Sequence, residues 1–279
     1  MKAAMSKREI FFVTDNDLRI TEAFRTLRTN LAFLREEEKG KTLLFTSSIP
    51  AEGKSFVASN YAASLSVANK KVLLVDCDIR RPRAHRSFGI EIKEGLESLL
   101  THDTPVENLI MRDILPNLDL LPTKNMKHNV TELFLRDKIK NMIAKLKDQY
   151  DTIILDTPPL AVASDAAILS KAVDGVVVVV GYDQVAKREL EYTKSMLDNA
   201  KANIYGFIVN GIDKRGLSYG NYGYYNNNYS YYEEYYSDEN GNRKKRKLKK
   251  VHKNKFEAFM ERVKAAYSRH LSGDIKKRR

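Results

Sequence analysis

No apolar run in this 279-residue chain approaches the roughly 18 residues needed to cross a bilayer, so a membrane-spanning helix is not expected. The opening MKAAMSKREIFF has none of the continuous apolar stretch of a secretion signal, and one cysteine cannot form an internal disulfide. Both absences favour a cytoplasmic location. The five histidines are scattered without metal-ligand spacing, and His85, His102 and His128 read as surface or packing residues. Basic charge is missing from where a nucleic-acid-binding domain would carry it. The formal net charge is +12, yet residues 243–279 hold 16 Lys or Arg against 3 Asp or Glu, leaving 32 basic and 33 acidic side chains before them. This is a near-neutral domain followed by a basic segment.

What is present reads as one large α/β domain with extensions. Phe24, Leu27, Leu31 and Leu34 recur at helical spacing in ITEAFRTLRTNLAFLREEE, which predicts an amphipathic helix capped by Thr21 and running to about residue 38. Glu22, Arg25 and Arg28 share a second side of it, as a solvated face or as a charged contact with another subunit. Next come KTLLFTSS, the loop IPAEGKS, the helical FVASNYAASLSVAN and the strand KKVLLVD. Such a strand–helix–strand unit needs a right-handed crossover and implies a parallel sheet covered by helices. Further strands are predicted at LDLLP, DTIILDTPP, GVVVVVGY and IYGFIVNG, where dense Val, Ile and Leu without alternation fit a sheet buried on both faces. Helices are predicted over 130–147 and 187–200.

Gly53, Lys54 and Ser55, set between a strand and a helix, form the strongest local motif. A loop there aims backbone N–H groups and a helix start at a polyphosphate, Lys54 neutralises the transferred phosphate, and the Ser55 hydroxyl suits Mg²⁺. The candidate phosphate-binding stretch takes in Ser48, Ala51, Glu52, Gly53, Lys54, Ser55 and Phe56; Ser48 and Ala51 stand where glycines would ease the turn. Asp76 and Asp78 are two apart and face the same way along an extended segment, and Asp156 ends an apolar strand. Strand carboxyl ends gather at one sheet edge, which brings the three acids toward the Lys54 loop, and Mg²⁺ would relieve their mutual repulsion. Asp76 or Asp78 can serve as proton acceptor for a phenol; residue types alone do not choose between them. Arg80, Arg81 and Arg83 follow, either holding phosphate or an acidic segment or starting a charged helix. Cys77 points to the opposite side, as a core residue. Asn210 ends the last strand at the same edge, fitting an adenine contact or a plain turn equally.

Nine of the fifteen tyrosines lie within 219–236: Tyr219, Tyr222, Tyr224, Tyr225, Tyr229, Tyr231, Tyr232, Tyr235 and Tyr236. Interspersed Gly, Asn and Ser give the segment little reason to fold by itself. Association through a Tyr- and Asn-rich stretch is one reading. The other is a set of phosphoacceptors for the ATP site upstream. Each phosphate would add a charge of about −1.5 to −2, repelling the acidic strand ends and loosening an oligomer.

Together IPAEGKS, VLLVDCDIRRPR, TIILDTPP and the tyrosine segment resemble the bacterial tyrosine kinases (BY-kinases) of capsule and exopolysaccharide synthesis, in the split Gram-positive form. These are P-loop ATPases related to the Min and Par proteins, and the resemblance covers residues 15–236. It implies ATP and Mg²⁺ as cofactors, Asp76 as proton acceptor, and Asp78 and Asp156 with Ser55 around the metal. Glu22, Arg25 and Arg28 match the family's subunit-contact motif, implying a ring-shaped homo-oligomer in which one chain's tyrosines enter a neighbour's site. Asn210 matches a base-contacting position. A transmembrane activator, the polysaccharide co-polymerase adaptor, is the implied partner, holding the kinase peripherally at the inner face of the membrane, and a cognate tyrosine phosphatase is a further one. The expected divisions are 1–40 with the oligomerisation helix, 41–216 for the P-loop kinase domain, 217–241 for the tyrosine cluster and 242–279 for a basic, partly helical extension. In that extension Phe256, Phe259, Met260, Val263, Tyr267 and Leu271 make one apolar stripe, which suits an anionic membrane surface, packing on the core, or nonspecific nucleic-acid contact. The rival function is a Min- or Par-like positioning switch that uses the basic segment as its contact.

Overall fold

The computed structural model describes residues 10–11, 18–34, 40–126 and 130–212. The predicted phosphoacceptor tyrosines and the basic extension lie outside the described residues. The chain divides into two compact units, residues 1–181 with 185–210, and residues 182–184 with 211–279. The candidate site lies wholly in the first. In chain order the elements are α1 (Leu18–Ala32), β1 (Lys41–Ser47), α2 (Lys54–Val67), β2 (Val72–Asp76), α3 (Ala84–Ser87) and α4 (Leu96–His102), followed by β3 (Met111–Leu115), β4 (Leu118–Leu121), α5 (Val130–Leu135), α6 (Lys138–Leu146), β5 (Thr152–Asp156), α7 (Asp165–Leu169), β6 (Gly175–Gly181), α8 (Lys187–Asn199) and β7 (Ile204–Asn210). Among the described residues, no helix is long and apolar enough to cross a membrane.

The sheet order is β3-β4-β2-β5-β1-β6-β7. Every neighbouring pair is parallel except β3 and β4. Strands β1, β2, β5 and β6 are buried along their whole length, as their unalternating apolar composition requires. Parallel pairing puts the carboxyl ends Ser47, Asp76, Asp156, Gly181 and Asn210 along one edge, with Asp76 in register opposite Asp156. Helix α2 is buried on most of its circumference, and small residues such as Ala58, Ser59, Ala62 and Ala63 let it lie close to the sheet. Helix α1 covers it: Phe24 meets Phe56 edge-on, and the Arg28 guanidinium donates to the Ser64 carbonyl at 2.6 Å.

Three features depart from the sequence expectations. Helix α1 begins at Leu18, so Thr21 lies inside its first turn rather than capping it, and it ends at Ala32, with Leu34 exposed beyond. Residues 35–38 of the predicted helix lie outside the described residues. The helix expected over 130–147 is broken between Leu135 and Lys138. Buried Phe134 and Ile139 are five residues apart, roughly 140° out of phase on one helix, and the break brings both to the core. Strand β3 was not predicted, because Arg and Asp interrupt the apolar residues of MRDIL and none of the five is fully buried. It pairs with β4 through a tight turn in which Asn117 has φ 62°, a conformation asparagine tolerates.

Side chains hold that edge. Tyr150 donates its hydroxyl to Asp119 at 2.6 Å, Arg112 donates at 2.9 Å, and the Asp113 N–H donates at 2.8 Å. Burial opposes ionisation of Asp119, but Tyr150, Asp113 and Arg112 together hold its carboxyl below the usual range. A depressed carboxyl stabilises the fold above its unfolded value of about 3.9 and loses that contribution as pH falls through the folded value. Asp119→Asn should therefore cost about 1–2 kcal/mol at neutral pH in urea unfolding. The gap from wild type should close as pH falls below about 4. A gap independent of pH would contradict this account.

Candidate active site

The loop between β1 and α2 is shaped by two left-handed residues and one buried carboxylate. Gly53 has φ 87°, which favours glycine, and a Cβ there would push the Asn210 amide away from the Glu52 carbonyl. Ala51 has φ 70°, a strained conformation for an L-residue. Glu52 is 2% exposed. Its carboxylate accepts the Ile49 N–H at 2.8 Å and the Gly181 N–H at 2.9 Å, stapling the loop to itself and to the end of β6. Burial raises the Glu52 carboxyl, while the backbone N–H groups of Ile49, Gly181 and Ser48 oppose the rise. Asn210 donates to the Glu52 carbonyl at 2.9 Å, tying β7 to the same loop. No side chain caps α2 at Gly53, so its first backbone N–H groups remain available to an anion.

Lys54 stands at the centre of the acids. Its ammonium is 2.9 Å from Asp78 Oδ2, 3.3 Å from Asp156 Oδ1 and 3.2 Å from the Ser55 hydroxyl. Burial alone would lower its pKa, but Asp156 and Asp78, with Asp76, carry it above the ordinary lysine value. Asp76 is wholly buried. Its Oδ1 accepts the Asp78 N–H at 3.1 Å, and its Oδ2 accepts the N–H groups of Arg83 and Ala84 at 3.0 Å. Burial first, and Asp156 second, push the Asp76 carboxyl up to about 8. Asp156 is raised too, by burial, against the pull of Lys54 and a hydrogen bond from Ser55.

The donor set suits a small hard cation. Asp156 Oδ2 and the Ser48 hydroxyl are buried without a hydrogen-bond partner, and Ser55, Asp78 and Asp156 converge on the Lys54 ammonium. Among the described residues no group of three His, Cys, Asp or Glu forms a complete metal cage. Two carboxylates and a hydroxyl leave room for phosphate oxygens and water, which is how Mg²⁺ is usually held.

Other sequence candidates fall elsewhere. The Phe56 ring packs edge-on against Phe11 and Phe24, so only its backbone can serve the loop. Cys77 is buried, and its thiol is pushed well up by burial and then by the neighbouring acids, as befits a core residue. Glu22 pairs with Arg25 on α1, whereas Arg28 is tied to α2. The staple formed by Glu52 was missed as such, because a glutamate in a phosphate loop reads as solvated until its burial is seen.

This geometry has known counterparts. Residues 51–205 match the family described as AAA domain, which places the chain in the P-loop ATPase class. It is 32% identical to tyrosine-protein kinase YwqD of Bacillus subtilis over 224 residues, covering 80% of this chain and 94% of that one. It is 34% identical to the EpsB protein of Ralstonia nicotianae over 207 residues. That match covers 73% of this chain but only 28% of EpsB. The kinase domain of Escherichia coli tyrosine kinase ETK superimposes with a TM-score of 0.70 at 30% identity, covering 79% of this chain and 87% of that domain. MinD from Pyrococcus horikoshii, with a TM-score of 0.54 at 23% identity, shares the fold alone. Within the P-loop class, the chain belongs to the family of bacterial tyrosine-protein kinases.

Two substitutions test the loop. Ala51→Gly should raise stability by roughly 0.5–1 kcal/mol in denaturant titration, since relief of left-handed strain outweighs the added chain entropy. An unchanged or lower midpoint would show that Ala51 is not strained. Glu52→Ala strands the Ile49 and Gly181 N–H groups and should cost about 2–4 kcal/mol while weakening nucleotide binding at least tenfold. Nucleotide affinity equal to wild type would remove Glu52 from loop shaping.

Proposed function

We propose that the chain is an ATP-dependent protein-tyrosine kinase that phosphorylates tyrosines of its own 219–236 segment, in trans within a homo-oligomer. The observation that carries this reading is the Lys54 ammonium held between Asp78 and Asp156 at the mouth of the phosphate loop. An ammonium already compensated by carboxylates can exchange them for phosphate oxygens at little net cost in charge burial. Ser55, Asp78 and Asp156 would hold Mg²⁺, which when bound offsets the phosphate charge. The loop from Ser48 to Ser55 and the start of α2 would cradle the polyphosphate, with Asn210 bracing Glu52 beside the base.

In the transfer, the bond from the γ-phosphorus to ADP breaks, a bond to the phenolic oxygen forms, and the phenolic proton passes to a carboxylate. The family pattern assigns that acceptance to Asp76. A carboxylate offers about four lone-pair sites, and three backbone N–H groups occupy three of them here; the fourth can accept from a hydroxyl when the raised carboxyl is ionised. Glu22 and Arg25 stand at the surface of α1 as subunit contacts, and Arg28 would join them by changing partner. A membrane-bound activator, a phosphatase, and a role in capsule or exopolysaccharide production complete the reading. The basic 243–279 segment would add contact with anionic lipid. A Min-like switch shares the fold, but nine clustered phenols give such a switch no service.

Incubation of the purified chain with Mg-ATP, with and without the activator, followed by mass mapping, should place phosphate on tyrosines of 219–236. Lys54→Met should lower the incorporation at least a hundredfold. Absence of tyrosine phosphate from wild type in both conditions, or equal labelling of the variant, would overturn the assignment.

A further inference from the structure

Beside the acids, residues 80–83, 85–86, 92 and 123–125 line an open cleft of about 390 Å³. Its lining is strongly cationic, including Arg81, Arg83, Arg86 and Lys124, and Pro82 and Ile92 supply an apolar wall. Arg80 is already committed: it donates to Asp165 at 3.3 Å and to Thr131 at 2.9 Å. The side chains of the other four cations are exposed, and none forms a hydrogen bond or ion pair with any described residue. The nearby carboxylates meet the cleft through backbone N–H groups, Glu97 accepting that of Lys124 at 2.8 Å, so the four side-chain cations stay available to an anion.

The cleft is also mechanically part of the candidate active site. Asp76 accepts the Arg83 N–H, and Asp78 accepts the Arg81 N–H at 3.0 Å, so the arginine turn hangs from two of the site's acids. An extended peptide advances roughly 3.3 Å per residue, so positions two to four residues from an anchored one lie about 7–13 Å from it. Tyrosines of the 219–236 segment recur at this spacing, as in Tyr232 with Tyr235 and Tyr236.

We infer that this cleft is a docking subsite for phosphotyrosine of the tyrosine-rich segment, so that a phosphate placed in one round anchors the segment for transfer to a nearby tyrosine in the next. The inference rests on the kinase reading for its purpose but not for its test. Arginine guanidinium groups bind phosphate bidentately, a phosphomonoester carries about twice the charge of a carboxylate, and the apolar wall suits the phenyl ring. Glutamates 233 and 234 of the same segment offer neither the second charge nor the ring.

The test uses the full-length chain freed of phosphate by a phosphatase, with its nucleotide site filled by Mg-ADP. A fluorescent peptide of residues 228–238 is titrated unphosphorylated, phosphorylated at Tyr235 and Tyr236, or carrying Tyr235→Glu and Tyr236→Glu. The phosphorylated peptide should bind at least tenfold tighter than either other form. The paired Arg83→Ala and Arg86→Ala variant should lose that preference while keeping its affinity for ADP. Equal binding of phosphorylated and unphosphorylated peptides, equal binding of the glutamate peptide, or a preference that survives in the variant would each overturn the docking assignment. No transfer occurs in this measurement, so failure of the kinase reading would appear only in the mass-mapping experiment. In that experiment the variant should stall near one phosphate per chain where wild type adds several; equal numbers would count against docking.

Discussion

The constraint on which the site depends is the burial of three carboxylates at adjoining strand ends. Asp76 and Asp156 sit opposite each other in register with no exposure, and Asp78 follows two residues later. Buried like charges of this kind do not persist without compensation. Lys54 compensates two of them by ion pairing, and Asp76 is met by three backbone N–H groups. The two solutions differ in consequence. A lysine side chain can leave for another anion, whereas backbone donors fix the turn that supplies them. The exchangeable counter-charge therefore lies toward the phosphate loop, and the fixed one shapes the arginine turn.

The loop itself combines strain with restraint. Ala51 holds a left-handed conformation that glycine would adopt freely, and the Glu52 carboxylate holds the same turn closed through Ile49 and Gly181. Asn210 closes the far side against Gly53, where a side chain would displace its amide. The amide groups of the loop are thus set by contacts from β6 and β7, strands distant in sequence. Such preorganisation is what phosphoryl transfer asks of a protein, since positioning and charge neutralisation supply most of its acceleration.

The parts legible in the sequence were those whose physics is local. Continuous apolar runs marked the buried strands, and the GKS turn between strand and helix marked the phosphate loop. The two-residue spacing of Asp76 and Asp78 placed both at one edge. What was hidden depended on distant partners. Strand β3 carries exposed Arg112 and Asp113 at its centre, and the ties among Asp119, Arg112 and Tyr150 add to the partial apolar packing of Met111, Ile114 and Leu115. The break between α5 and α6 follows from which side chains the core accepts, which periodicity in 130–147 did not settle. Glu52 shows the same limit: its role exists only because Gly181 lies beside it.

The arginine turn joins these themes. Because Asp76 and Asp78 accept N–H groups from Arg81, Arg83 and Ala84, a change in the charge state or ligation of those acids alters the bonds that position the arginine side chains. The converse also holds, since an anion drawing on Arg81 and Arg83 acts on the backbone that stabilises ionised Asp76. Two sites sharing hydrogen-bonded elements are linked thermodynamically, and the coupling is the same read from either side. Under the docking proposal, filling the nucleotide site and filling the cationic cleft would then be coupled events. On that proposal, substrate discrimination in this chain would come from a turn of exposed arginines anchored on acids the nucleotide site already needs.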